Sequence, residues 1–286
     1  MARKKVTIFD IQQRKHDAIP ITMITAYDYS AAVLVEKAEM DLILVGDSLA
    51  MVMLGYESTV AVTMEDMLHH CRAVSRGARQ TFLIGDMPFM SYQAEVAEAV
   101  RNAGRFLQEA GMDGVKLEGG REVVPTVQAI VHAGIPVMGH LGLTPQAASQ
   151  LGGFRVQGRT AEAAQRLLAD ALLLQEAGCF SIVLEAIPAP VATVVSQRLH
   201  IPTIGIGAGA GCDGQVLVYH DLLGLFERFR PKFVKQYAHL DTCIIEALAA
   251  YKEDVLTRRF PAEEHIYSMA QAEHDTFLRI VNDANV

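Results

Sequence analysis

Short apolar runs recur along the chain: "ITMITAYD" (21–28), "DLILVGDS" (41–48), "TFLIGDMPF" (81–89), "GVKLEGG" (114–120), "IPVMGHLGL" (135–143), "FSIVLEAIP" (180–188), "IPTIGIGAG" (201–209) and "GQVLVYHD" (214–221). Each is continuous rather than alternating, the pattern of strands covered on both faces in a parallel sheet. Most are separated by stretches with helical period. Residues 160–175 show it best, with Thr160 as N-cap and Ala164, Leu167, Leu168, Ala171 and Leu174 on one stripe. Three predicted helices end in "EAG" (109–111), "HAG" (132–134) and "EAG" (176–178), placing glycine where a left-handed C-cap residue costs least. Eight strand–helix units in about 250 residues predict an α/β protein, a closed (β/α)8 TIM barrel with right-handed crossovers. Residues 1–286 read as one barrel domain with C-terminal helices from about residue 232 and a helical tail from Ala262. The "GIGAG" at 205–209 lacks the remaining features of a dinucleotide loop.

Composition narrows the partners. The 286 residues are 51% hydrophobic and 20% charged, with a net charge of −8, so nucleic acid is not an expected ligand and small molecules are. No apolar run reaches the ~20 residues of a bilayer span, and the first residues have no apolar signal core, so no membrane is expected and the cytoplasm is the predicted address. Cys71, Cys179, Cys212 and Cys243 form no CxxC pair and are expected as buried, reduced packing residues.

Polar residues gather where the predicted strands end: Asp28, Asp47 with Ser48, Asp86, Lys116 with Glu118, His140, Glu185 and Asp221. In a (β/α)8 barrel those ends carry the active site. Alternation along the strand puts Lys116 and Glu118 on one face. Asp47, Asp86 and Glu118 end three successive strands and offer hard oxygen ligands suited to Mg²⁺. The competing reading of any one of them is a helix cap or loop anchor. Lys116 suits a substrate carboxylate, or alternatively a structural ion pair. Glu185 lies in apolar company that strengthens it as a proton acceptor. His140 reads equally as a substrate-orienting group or a hydrogen-bonded core histidine. "IGIGAG" reads as a phosphate loop or as tight packing, and Gly152, Gly153 and Gly158 after the fifth strand as part of a mobile lid.

"TAYDYSAA" (25–32), "LVGDSLAMVMLG" (44–55), "DMPFMSY" (86–92), "VKLEGG" (115–120), "GIPVMGHLGLTPQ" (134–146), "GGFRVQGR" (152–159), "VLEAIP" (183–188) and "IGIGAGAGCDGQVLVYHDLLGL" (204–225) together resemble the ketopantoate hydroxymethyltransferase family. The likeness runs in order from about Val6 to Tyr237, and "FPAEEHIY" (260–267) resembles the family's C-terminal motif. Departures are Met40, where the family usually has glycine, and Ala186, where cysteine is common. The resemblance implies transfer of a one-carbon unit from 5,10-methylenetetrahydrofolate to 3-methyl-2-oxobutanoate, giving 2-dehydropantoate in pantothenate biosynthesis, with Mg²⁺ and a homo-oligomeric, often decameric, assembly. It implies Asp47, Asp86 and Glu118 at the metal, Asp47, Ser48, Asp86 and Lys116 around the keto acid, and Glu185 as proton acceptor. Two other expectations stay open: a Mg²⁺-dependent lyase of 2-keto or 2-hydroxy acids, and a barrel that binds a keto acid without catalysis.

Overall fold

The computed structural model describes residues 4–147, 153 and 155–283. Its centre is a closed parallel barrel in sequential order, β1 Ile21–Thr25, β2 Leu42–Val45, β3 Phe82–Asp86, β4 Gly114–Glu118, β5 Val137–Gly142, β6 Ser181–Glu185, β7 Thr203–Ile206 and β8 Gly214–Leu217, with β8 returning to β1. All eight predicted strands are present. The helices are α1 Ile8–His16, α2 Tyr29–Lys37, α3 Leu49–Val52, α4 Met64–Gly77, α5 Val96–Ala110, α6 Val124–His132, α7 Ala161–Glu176, α8 Ala189–Arg198, α9 Tyr219–Leu223, α10 Leu240–Leu256 and α11 Gln271–Asp283.

Local chemistry sets these boundaries as expected. The Thr160 hydroxyl accepts the Ala163 N–H at 3.2 Å and starts α7, whose Leu167, Ala171 and Leu174 are buried. Gly111 ends α5 at φ +68° in the left-handed region, which any side chain with a Cβ adopts at a cost.

The barrel divides apolar side chains into two cores. Outward-facing Val115 and Leu117 join the ring between strands and helices, with Ile43, Leu83 and Val127. Inward-facing Met23, Leu42, Phe82, Phe180 and Ile204 fill the barrel itself, and Val6 and Ile11 join that inner core. The Phe82 and Phe180 rings meet edge to face at 5.5 Å. Because strand residues alternate, the positions above this plug on the same inner face are the polar ones.

The chain divides into two compact units, Met1–Ala238, which contains the barrel, and His239–Val286, which contains α10 and α11. All four cysteines are free thiols, with Cys71 and Cys179 buried. Cys212 is half-buried and Cys243 exposed, a correction to the expectation of four buried thiols. Every residue of α10 is at least partly exposed, so apolar composition there did not translate into burial.

Candidate active site

The ladder itself assembles the upper rim. Asp86 pairs in register with Lys116, Glu118 with His140, and Gly142 with Glu185. Residues up to 138 positions apart, Asp47 and Glu185, therefore line one cavity of about 350 Å³, together with Ser48, Lys116, Glu118 and His140. That volume is in the ordinary range for a small-molecule site. Of the strand-end residues predicted from the sequence, Asp47, Ser48, Asp86, Lys116, Glu118, His140, Glu185 and Asp221 lie on this cavity and Asp28 does not.

Lys116 is 3% exposed. Its ammonium lies 2.9 Å from Asp86 Oδ1, 3.9 Å from Glu118 Oε1 and 3.2 Å from His140 Nδ1. Burial alone would push such an amine down, but Asp86, Glu118 and Asp47 outweigh it and hold Lys116 above the ordinary lysine range, so it stays charged. The Lys116–Glu118 pair is thus part of a larger network. His140 bridges two carboxylates, with Nδ1 3.3 Å from Glu118 Oε1 and Nε2 3.2 Å from Glu185 Oε2. Burial and the Lys116 charge push His140 down, and Glu118 and Glu185 overcome both, holding it up at about 9. A cationic imidazole donates from both nitrogens.

The carboxylates differ among themselves. Burial and the neighbouring charges of Asp86 and Glu118 drive Asp47 well above the usual carboxylate range. Asp86 is also raised, by burial and Glu118, with Lys116 opposing. Glu118 goes the other way despite its burial, because His140, Lys116 and the Gln146 N–H favour its ionised form. Four carboxylates against two cations leave buried negative charge in excess. Asp86 Oδ1, Glu118 Oε1 and His140 Nε2 are buried with opposite charges nearby but without an aligned hydrogen bond. Unsatisfied buried atoms of this kind are where a ligand is expected.

Two residues escaped the sequence reading of the site. Gln146 donates its side-chain amide to Asp47 Oδ2 and to the Met87 carbonyl, both at 3.0 Å, and its backbone N–H to Glu118 Oε2 at 3.0 Å. The Tyr92 hydroxyl donates to Gln146 Oε1 at 2.8 Å and accepts the Glu118 N–H at 3.1 Å. Both fix the orientation of the acidic groups. Their signal was present, since each ends a quoted motif, "HLGLTPQ" and "DMPFMSY", but a neutral amide and a phenol carry no charge to draw attention.

Other expectations resolve by geometry. Asp28 Oδ1 accepts the Ala31 N–H at 2.8 Å and caps α2, so it acts as a helix cap. Asp221 lies on the cavity, and burial pushes it up to about 6. Ser48 Oγ meets the Tyr27 hydroxyl at 2.9 Å. In "IGIGAG" Gly207 has φ +64°, and a Cβ there would sit 2.5 Å from Phe233 Cδ1, so the bare backbone serves as a seat for an aromatic ring. Directly after Glu185, Ala186 has φ +47°, a conformation that costs a residue with a Cβ on the order of 1–3 kcal/mol. Of the lid glycines, Gly153 and Gly158 are described and Gly152 lies outside the described residues.

A closed barrel with a charged inner rim and a cavity of this size is the layout of a (β/α)8 enzyme with a small-molecule substrate. The comparisons with known proteins carry the assignment further. A family model described as ketopantoate hydroxymethyltransferase matches residues 5–263. A relative from Moorella thermoacetica named 3-methyl-2-oxobutanoate hydroxymethyltransferase is 58% identical over 93% of this chain and 98% of its own length. One of the same name from Syntrophus aciditrophicus is 58% identical over 92% and 97%. The chain belongs to the ketopantoate hydroxymethyltransferase family and is an enzyme transferring a one-carbon group. Among solved structures, phosphonopyruvate hydrolase in complex with oxalate and Mg²⁺ matches at 13% identity with TM-score 0.57, covering 97% of this chain and 98% of that one. A 2,3-dimethylmalate lyase of the PEP mutase/isocitrate lyase superfamily matches at 14% with TM-score 0.57, covering the same shares, 97% and 98%. These two share the fold.

Proposed function

We propose that this enzyme transfers a hydroxymethyl group from 5,10-methylenetetrahydrofolate to C3 of 3-methyl-2-oxobutanoate, giving 2-dehydropantoate; the relatives' name supports the acceptor and the group transferred, and the family resemblance supports the donor and product. The observation that carries the site assignment is the convergence of Asp47, Asp86, Lys116, His140 and Glu185 on one cavity.

A divalent ion fits this rim. Burial disfavours the anionic form of both Asp47 and Asp86, with Asp86 and Glu118 repelling Asp47 and Glu118 repelling Asp86, and Asp86 Oδ1 and Glu118 Oε1 lack aligned donors, so added positive charge would relieve the two aspartates. Among the described residues no group of three His, Cys, Asp or Glu forms a ready metal cage. That suits an ion such as Mg²⁺, which takes one or two carboxylates and leaves its other positions to water and substrate oxygens. Asp47 and Asp86 would hold it, with Glu118 completing the acidic set. Bound there, it would supply Lewis-acid polarisation of the keto-acid oxygens.

The protein's own groups do the rest. Lys116 balances the substrate's negative charge and Ser48 donates to its carboxylate. Glu185 removes the C3 proton, while His140 at 3.2 Å from Oε2 fixes the carboxylate and leaves its other oxygen to accept. The enolate formed is favoured by the Lys116 ammonium and the His140 imidazolium beside it. Its C3 bonds to the methylene carbon of the donor, both bonds from that carbon to the two folate nitrogens break, water supplies the hydroxyl, and the nitrogens take up the C3 proton and the remaining water proton.

No described helix is long and apolar enough to cross a membrane, and a cytoplasmic homo-oligomer, in the decameric form the resemblance implies, belongs to the same proposal. Ile244, Ile245, Leu248 and Tyr251, exposed on α10, support it. The test is product formation: with both substrates and Mg²⁺ the protein yields 2-dehydropantoate, and chelation abolishes the yield. Failure to form it from these substrates refutes the proposal.

A further inference from the structure

Ser48 opens α3, and a serine in that place ordinarily spends its hydroxyl on the first free N–H groups of its helix. Here no side-chain cap bond is made, and Ser48 Oγ instead meets the Tyr27 hydroxyl at 2.9 Å. The bare backbone of Gly46 leaves the room, since a Cβ there would sit 2.9 Å from Ser48 Oγ. Ser48 lines the cavity and Tyr27 does not; Tyr27 is 1% exposed, packed in the core between strands and helices. A phenol buried in such company needs a partner for its O–H.

Which oxygen donates follows from the chemistry of the pair. A phenol is more acidic than an aliphatic alcohol and its oxygen is the poorer acceptor, so the Tyr27 proton goes to Ser48 Oγ. Burial, with the charges of Asp221 and Asp47 nearby, holds the phenol above its ordinary range despite that bond, so the proton stays in place. The other hydroxyl beside Tyr27, that of Thr25, already accepts the Tyr219 N–H at 2.8 Å, which leaves Ser48 Oγ as the freer acceptor. The tyrosine is itself held: its carbonyl accepts from His70 Nδ1 at 2.6 Å, and its ring centroid lies 5.5 Å from that of His220. A serine whose oxygen receives a proton from behind has its own proton free to turn into the cavity.

We propose that Tyr27 is a positioning residue for the acceptor substrate: by donating to Ser48 Oγ it turns the Ser48 O–H into the cavity, toward the carboxylate of the keto acid. The inference rests on the activity proposed above, through the Ser48 contact, and gives the direction of that contact to a residue that never touches the substrate. Hydrogen bonds in such a chain polarise one another, so the bond from Tyr27 also strengthens the one that Ser48 gives.

Calorimetric binding of 3-methyl-2-oxobutanoate in the presence of Mg²⁺ reads this chain without the one-carbon donor. Ser48→Ala weakens binding roughly tenfold or more, the scale of a hydrogen bond to a charged group, and Tyr27→Phe, which keeps the ring, weakens it about fivefold. On the Ser48→Ala background Tyr27→Phe costs nothing further, a non-additivity that a general packing role for Tyr27 would not produce. In turnover Tyr27→Phe raises KM for the keto acid several-fold and lowers kcat by a smaller factor. Should Tyr27→Phe not fold, 3-fluorotyrosine at position 27, a stronger donor in the same ring, tightens binding in the parent and leaves the Ser48→Ala protein unaffected. Parent-like binding in either single variant, a Tyr27→Phe loss that adds in full to that of Ser48→Ala, or no response to 3-fluorotyrosine overturns the inference. A parent that binds the keto acid but forms no 2-dehydropantoate strikes at the proposed activity and leaves the role of Tyr27 standing.

Discussion

The two rims of the barrel use the same residue types to opposite ends. At the N-terminal rim, carboxylates are saturated with donors. Asp41 accepts from the Thr22 N–H and hydroxyl at 2.9 and 2.8 Å and pairs with Arg14 at 2.7 Å. Asp213 repeats the arrangement against Thr203, at 2.7 and 2.9 Å, and pairs with Lys15 at 2.8 Å. Glu36 collects the N–H groups of Arg79, Gln80 and Thr81. At the C-terminal rim, Asp47, Asp86, Glu118 and Glu185 crowd one cavity, with aligned donors too few for their oxygens. One rim is built to hold strands in register and the other to hold charge that a ligand completes. Burial of an acid therefore says little about its role until its donors are counted.

The largest effect that would break this contrast is at Glu185. Glu185→Gln is expected to lower kcat by roughly 10²-fold or more while leaving keto-acid binding and thermal stability near the parent values, read from steady-state kinetics and a melting curve. At the opposite rim, Asp213→Ala strips Thr203 and Lys15 of their acceptor and should cost about 2–3 kcal/mol in denaturant unfolding, with kcat changed less than about twofold. A smaller effect of opposite sign is expected at Asp47. Asp47→Asn relieves repulsion among buried anions and should raise stability by about 1 kcal/mol while weakening metal-dependent keto-acid binding at least tenfold by calorimetry.

The pH dependence separates the rims most finely. Glu36 is held below its ordinary 4.5 because backbone donors outweigh its burial, so its contribution is present above pH 4.5 and is lost as pH falls through its folded value. Asp221 is raised by burial from 3.8 to about 6, so its contribution is full below pH 3.8 and lost as pH rises through 6. Asp221→Asn should therefore stabilise the protein above pH 6, with a gain that vanishes below pH 3.8, whereas Glu36→Gln should destabilise it above pH 4.5. Melting curves across that range check both signs.

Much of the upper rim was legible because a charged residue at the end of an apolar run has no ordinary place in a core. Lys116, Glu118, His140 and Glu185 were visible on that ground, and alternation put the first two on one face. The lower rim was not legible. Asp41, Asp113 and Asp213 each precede a strand and bond to the strand before it, with Asp113 accepting the Leu83 N–H at 2.8 Å, yet a polar residue before a strand reads in sequence as an ordinary loop. Gln146 and Tyr92 were hidden for a related reason, since their role exists only through partners 54 positions apart. The exposure of α10 was not legible either, because an apolar pattern shows that a face seeks cover but not that this chain supplies it.

The account depends most directly on Glu185 taking the proton from C3, and the proton NMR signal of 3-methyl-2-oxobutanoate in deuterated water reports that step without the folate. With the parent enzyme and Mg²⁺ the C3 proton signal should disappear, and with Glu185→Gln it should persist. Equal exchange in the two proteins, or none in a folded parent that binds the keto acid, would contradict it.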